Sequence, residues 1–167
     1  MKQYLHKEGL LMARSEEIIK TWYRVSKGEK FNKSGEEYEI FKFMALWMAF
    51  NSYLTWKKPK IYGDKAKVMK FAKENAKAKE NHIEFLKDNK YIGYVEEIKR
   101  DGVTSMRDDS NHVINNVNCL YEVMKCIYTI RCNLFHGGKS KEGRDLKLVE
   151  SAHYILDKLF KPIQENL

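Results

Sequence analysis

Between Phe41 and Leu54 the chain carries apolar side chains on every side of a helix. At about 100° per residue, Phe41, Met44, Ala45 and Met48 cover one side, and Phe43, Trp47, Phe50 and Leu54 cover the other. A helix that is apolar all round belongs in the middle of a bundle, wrapped by other helices. Asn51 lies inside this segment and needs a hydrogen-bond partner there.

The rest of the chain supplies helices to do the wrapping. Residues of roughly 2 to 26 read as a first helix, with Leu11, Ile18, Trp22 and Val25 on one face. The turn Lys27 to Gly35 leads into the central helix, which runs to about Trp56. Pro59 breaks the chain, and Asp64 opens a third helix to about Lys87. A short helix around Tyr94 to Arg100 and a polar loop from Asp101 to Asn116 follow. A fourth long helix covers about Val117 to Phe135. A fifth starts near Arg144 and ends before Pro162, with Leu146, Val149, Ala152, His153, Leu156, Leu159, Phe160 and Ile163 on one stripe. Long helices joined by short loops predict an all-α, antiparallel helical bundle of about five long helices plus a short extra one, formed by residues 1–167 as a single domain.

Composition narrows the function. Lys+Arg outnumber Asp+Glu by 31 to 23, a net charge of +8, which favours a polyanionic partner such as RNA. From Lys57 to Lys90 there are eleven lysines against five acids, a solvated face or a phosphate-tracking surface. Cys119, Cys126 and Cys132 form no CxxC pair and sit in apolar helical sequence, which points to a reducing compartment. Met1 to Glu8 lacks the apolar run of a signal peptide. Met44 to Phe50, the longest apolar run, is too short to cross a bilayer, so a cytoplasmic protein without membrane contact is expected. His6, His82 and His112 lie far apart in unlike contexts, so no metal or cofactor is expected, and His153 reads as a core histidine.

The stretch Arg131-Cys132-Asn133-Leu134-Phe135-His136-Gly137-Gly138-Lys139 carries the strongest chemical signal. Arg131 falls within about 40° of the apolar stripe of its helix, where an unpartnered guanidinium is costly. It must meet an acid such as Glu122 or Glu150, line a cleft, or sit at a subunit interface. Gly137-Gly138 stop the helix, which leaves His136 at its last turn, either as a cap or free to fold back toward Arg131. An arginine and a histidine so placed suit cleavage of a phosphodiester, with the imidazole as acid/base and the guanidinium neutralising the transition state.

This stretch resembles the R-x4-6-H motif of HEPN (higher eukaryotes and prokaryotes nucleotide-binding) domains. Phe43 to Tyr53 is similar to the aromatic helix of many bacterial members, and Asp145 to Leu156 resembles their closing helix. The resemblance implies a helical bundle that dimerises with its motifs face to face. It implies a metal-independent endoribonuclease of the kind found in toxin–antitoxin or phage-defence systems, with a possible antitoxin protein as partner. Arg131 and His136 are then the catalytic pair. Family members usually carry a polar residue directly after the arginine. Here Cys132 stands there and Asn133, one later, is expected to orient the scissile phosphate. Lys139, Lys141 and Arg144 are candidate RNA-backbone contacts. A non-catalytic RNA- or nucleotide-binding module and a protein–protein interaction module are the alternatives.

Overall fold

A computed structural model of the chain describes residues 15–28, 36–135 and 143–167, with the side chains of residues 36, 37, 143 and 144 outside that description. The described residues are all-α apart from one small hairpin. Helix α1 covers residues 15–26. It is followed by α2 (Glu36–Lys57), α3 (Asp64–Glu74), α4 (Ala76–Phe85) and α5 (Asn89–Lys99). The hairpin β1 (Val103–Thr104) and β2 (Asn111–His112) comes next, then α6 (Leu120–Phe135) and α7 (Gly143–Gln164). No described helix is long and apolar enough to cross a membrane.

Helix α2 occupies the centre, as its composition requires. Phe43, Ala45, Leu46, Trp47, Ala49, Phe50 and Leu54 are all buried, and only Met48 on its apolar sides is turned out, at 40% exposure. The helix packs on α7 and α3, while α6 packs on α3 and α7, and α5 on α7. Aromatic side chains knit these layers together. Phe50 meets Phe71 of α3 edge-on at 5.1 Å and Phe160 of α7 at 5.6 Å. Tyr23 of α1 meets the same Phe160 at 5.9 Å, and Lys27 closes on Asp157 at 2.5 Å, tying α1 to α7. The α7 stripe is buried at Val149, Ala152, Leu156, Leu159 and Phe160.

Several boundaries differ from the sequence expectation. The helix expected from Asp64 to about Lys87 is two helices. Asn75 lies between them in an extended conformation (φ −78°, ψ 95°), and its side chain caps α4 by accepting from the Ala78 amide at 2.9 Å. An asparagine that satisfies an orphan helix donor allows a break that neither glycine nor proline announces. The short helix begins earlier, at Asn89, because Asp88 accepts from the Lys90 and Tyr91 amides. The fourth long helix starts at Leu120 and not at Val117; Glu122 in its first turn accepts from the amides of Asn115 and Asn116 and so ties down the preceding loop. Pro162 lies inside α7, which continues to Gln164.

The polar segment after α5 holds the hairpin, with Val103 opposite His112 and Thr104 opposite Asn111. Gly102 enters it at φ +68°, and a Cβ there would come within 2.7 Å of the His112 carbonyl oxygen, so the turn requires glycine.

Candidate functional site

The last two turns of α6 bring Tyr128, Arg131, Cys132 and Phe135 onto one face, three, four and seven residues apart. That face looks toward Trp47 of α2 and the first residue of α3, Asp64. The Trp47 and Tyr128 rings lie 6.0 Å apart. The Arg131 guanidinium carbon stands 4.2 Å from the Phe135 ring centroid and 5.6 Å from that of Trp47. Arginine stacks on such rings through its planar, weakly hydrated cation.

Arg131 meets an acid, but neither Glu122 nor Glu150: its Nη2 lies 3.5 Å from Asp64 Oδ2. The side chains of Arg131 and Asp64 are 20% and 32% exposed, so the pair sits at the edge of the core with one side open. Nη1 has the Cys132 thiol at 3.9 Å, and among the described residues the buried Nε has no hydrogen-bond partner. Trp47 Nε1 is also buried and unpartnered. Both orphans are N–H donors, so among the described residues this corner is short of acceptors. Burial first, then a hydrogen bond with Cys132 and the nearby Asp64 carboxylate, push the Tyr128 hydroxyl up to about 12, against the pull of Arg131. It therefore stays protonated at neutral pH.

Asn133 takes a different position from the one expected. It is buried at 3% exposure on another face of α6. Its Nδ2 donates to the Thr104 carbonyl at 2.8 Å, and its Oδ1 accepts from the Met106 amide at 3.1 Å. The carboxamide is thus committed to the hairpin backbone and is not turned toward an open groove. Cys126 adds a second tie, from its thiol to the His112 carbonyl at 3.4 Å. These contacts hold the hairpin tip, with Met106 52% exposed, beside the end of α6, where Phe135 is 44% exposed.

His136, Lys139 and Lys141 lie outside the described residues. Arg144 falls in the first turn of α7, and its side chain is outside the description as well. The structure therefore brings Arg131 together with Asp64, Trp47 and Phe135, and gives Asn133 to the hairpin. Among the described residues no group of His, Cys, Asp and Glu is arranged to hold a metal ion. Sequence reasoning missed Asp64 and Trp47 as neighbours of Arg131. Asp64 registers in the sequence only as an acid opening a helix, 67 residues away.

No family model, curated protein or solved structure matches the chain.

Proposed function

We propose that this chain is a metal-independent endoribonuclease of HEPN type, with Arg131 and His136 as its catalytic pair. The observation that carries the reading is the state of Arg131. Its guanidinium is positioned by Phe135 and Trp47, only loosely paired with Asp64, and left with unfilled donors, five residues before a histidine and a Gly-Gly stop. A side chain that served only to bridge two helices would be expected to close its bonds.

In the proposed reaction a general base takes the proton of a ribose 2′-OH, and that oxygen attacks the adjacent phosphorus. The bond to the 5′ oxygen breaks, and an acid protonates the leaving oxygen. The products are a 2′,3′-cyclic phosphate and a 5′-OH. His136 supplies acid/base catalysis, and Arg131 neutralises charge on the phosphorane-like transition state. Two copies of the chain facing each other across a two-fold axis supply two histidines, one for each proton transfer. Lys139, Lys141 and Arg144 hold neighbouring phosphates in this scheme. Asn133 acts indirectly, by fixing the hairpin beside the motif. An antitoxin-like protein partner and a cytoplasmic setting belong to the same proposal.

A second reading, RNA binding without cleavage, is favoured by one observation. Asn133 is spent on the hairpin backbone, and Cys132 leaves no strongly polar group directly after the arginine. Labelled RNA incubated with the protein in EDTA separates the two. Cleavage by the wild type that His136→Ala abolishes supports the enzyme. Intact RNA that still shifts on a gel supports the binder. Sedimentation at micromolar concentration is expected to give twice 19.8 kDa; a monomer removes the composite site.

A further inference from the structure

Arg131 is held by groups that do not use up its donors. The Phe135 and Trp47 rings at 4.2 and 5.6 Å fix where the guanidinium sits without accepting strong hydrogen bonds. Asp64 touches only Nη2, at 3.5 Å. A charge-assisted N–H···O bond closes to about 2.7–2.9 Å, and arginine–carboxylate pairs are often bidentate. Among the described residues, the hydrogen-bond neighbour of Nη1 is a thiol at 3.9 Å, a weak acceptor. Arg131 Nε and Trp47 Nε1 add two buried donors with no acceptor among the described residues.

Asp64, for its part, can let go. It is 32% exposed, so water solvates its carboxylate when the guanidinium leaves. It is the first residue of α3, where the partial positive charge of the helix end favours an anion. The pair is therefore a loose latch between a fixed cation and an acid with a second stable environment.

We infer that Asp64 is a displaceable stand-in for the substrate phosphate. Between substrates it occupies Arg131. A phosphodiester, whose two non-bridging oxygens can accept from two guanidinium N–H groups at once, takes its place on binding. The inference rests on the function proposed above and deepens it, since Asp64 then sets how tightly the site takes a phosphoryl oxyanion. It also accounts for an acid in a site meant for a polyanion: the carboxylate keeps the arginine from seizing other anions and makes entry a competition.

The test is a binding cycle with two probes, an RNA oligonucleotide with 2′-O-methyl riboses, which lacks the attacking hydroxyl, and inorganic pyrophosphate. Both are titrated against wild type, Asp64→Asn, Arg131→Ala and the double variant. Glu80→Gln, an exposed side chain of α4, serves as the control for an equal change of net charge. Asp64→Asn is expected to tighten both probes by about threefold to tenfold, the size of one screened ion pair. The gain should shrink to that of Glu80→Gln once Arg131 is alanine. Unchanged or weaker binding by Asp64→Asn overturns the inference, and so does a gain that survives in the Arg131→Ala background. If pyrophosphate shows the gain and no variant binds RNA, the latch stands and the ribonuclease reading falls. If the 2′-O-methyl RNA is bound and unmodified RNA is cut but Asp64→Asn gains nothing, the latch alone falls. Failure of every variant to bind either probe removes both.

Discussion

Two polar groups in this protein, one in the core and one at its edge, are treated in opposite ways. His82 on α4 is fully buried, and both of its ring nitrogens are used. Nε2 lies 2.8 Å from the Val117 carbonyl, which can only accept, so Nε2 carries the proton and donates. Nδ1, 2.8 Å from the Tyr91 hydroxyl, then accepts. The histidine bolts α4 to α5 and to the loop before α6, and nothing is left over. Arg131, at the far end of α6, is 20% exposed, meets its acid at 3.5 Å and keeps an unpartnered Nε. His82 spends both of its nitrogens on the fold, whereas Arg131, at the edge of the core, keeps a donor that the proposed phosphate would fill.

The largest expected effect separates the two directly. Arg131→Ala should lower RNA cleavage by about 10²–10³, as the loss of one transition-state charge partner does, while changing stability by less than about 1 kcal/mol. His82→Ala should do the reverse. It strands the Tyr91 hydroxyl and the Val117 carbonyl and opens a cavity, for a loss of roughly 2–4 kcal/mol in chemical denaturation. Equal destabilisation by the two substitutions would erase the distinction.

Asn133→Ala falls between them. It removes two hydrogen bonds to the hairpin backbone and should lower stability by about 1–3 kcal/mol. Hydrogen exchange at the Met106 amide should speed up in step, because that amide loses its acceptor. A variant that lost cleavage with the hairpin still protected would return Asn133 to the substrate.

Acid titration sharpens the comparison further. Burial lowers the proton affinity of His82 below the ordinary 6.5, with the bond to the Val117 carbonyl opposing it. Burial likewise brings His153 of α7 down to about 4; Asp157 and Glu39 near it favour the charged ring, and Lys42 and Lys27 oppose it. Both rings bind protons more readily unfolded than folded. Their stabilising contribution is therefore complete above pH 6.5 and is lost as pH falls, for His153 down to about 4. The melting temperature should drop across that window, and His153→Gln should flatten part of the slope.

Where the fold was legible, the signal was local and periodic. The all-round apolar α2 and the α7 stripe read directly from residue spacing, because burial on a helix repeats with its turn. The break at Asn75 was not legible, since a capping asparagine looks like any polar residue on a lysine-rich face. Nor was the hairpin, whose strands are two residues each and whose hold on α6 comes from Asn133, 29 residues from Thr104. At the candidate site, the apolar setting of Arg131 already demanded a partner, but which acid would answer depends on packing α3 against α6. Asn133 misled for the same reason: sequence placed it in the motif, and only the packing of the hairpin shows what its carboxamide holds.

The most direct measurement is the end-group chemistry of RNA incubated with the protein in EDTA. Wild type should yield fragments ending in a 2′,3′-cyclic phosphate with 5′-OH partners, identified by mass, and Arg131→Ala should yield almost none. Intact RNA from wild type, or the same fragments at the same rate from Arg131→Ala, would contradict the claim that this guanidinium is kept for a phosphate.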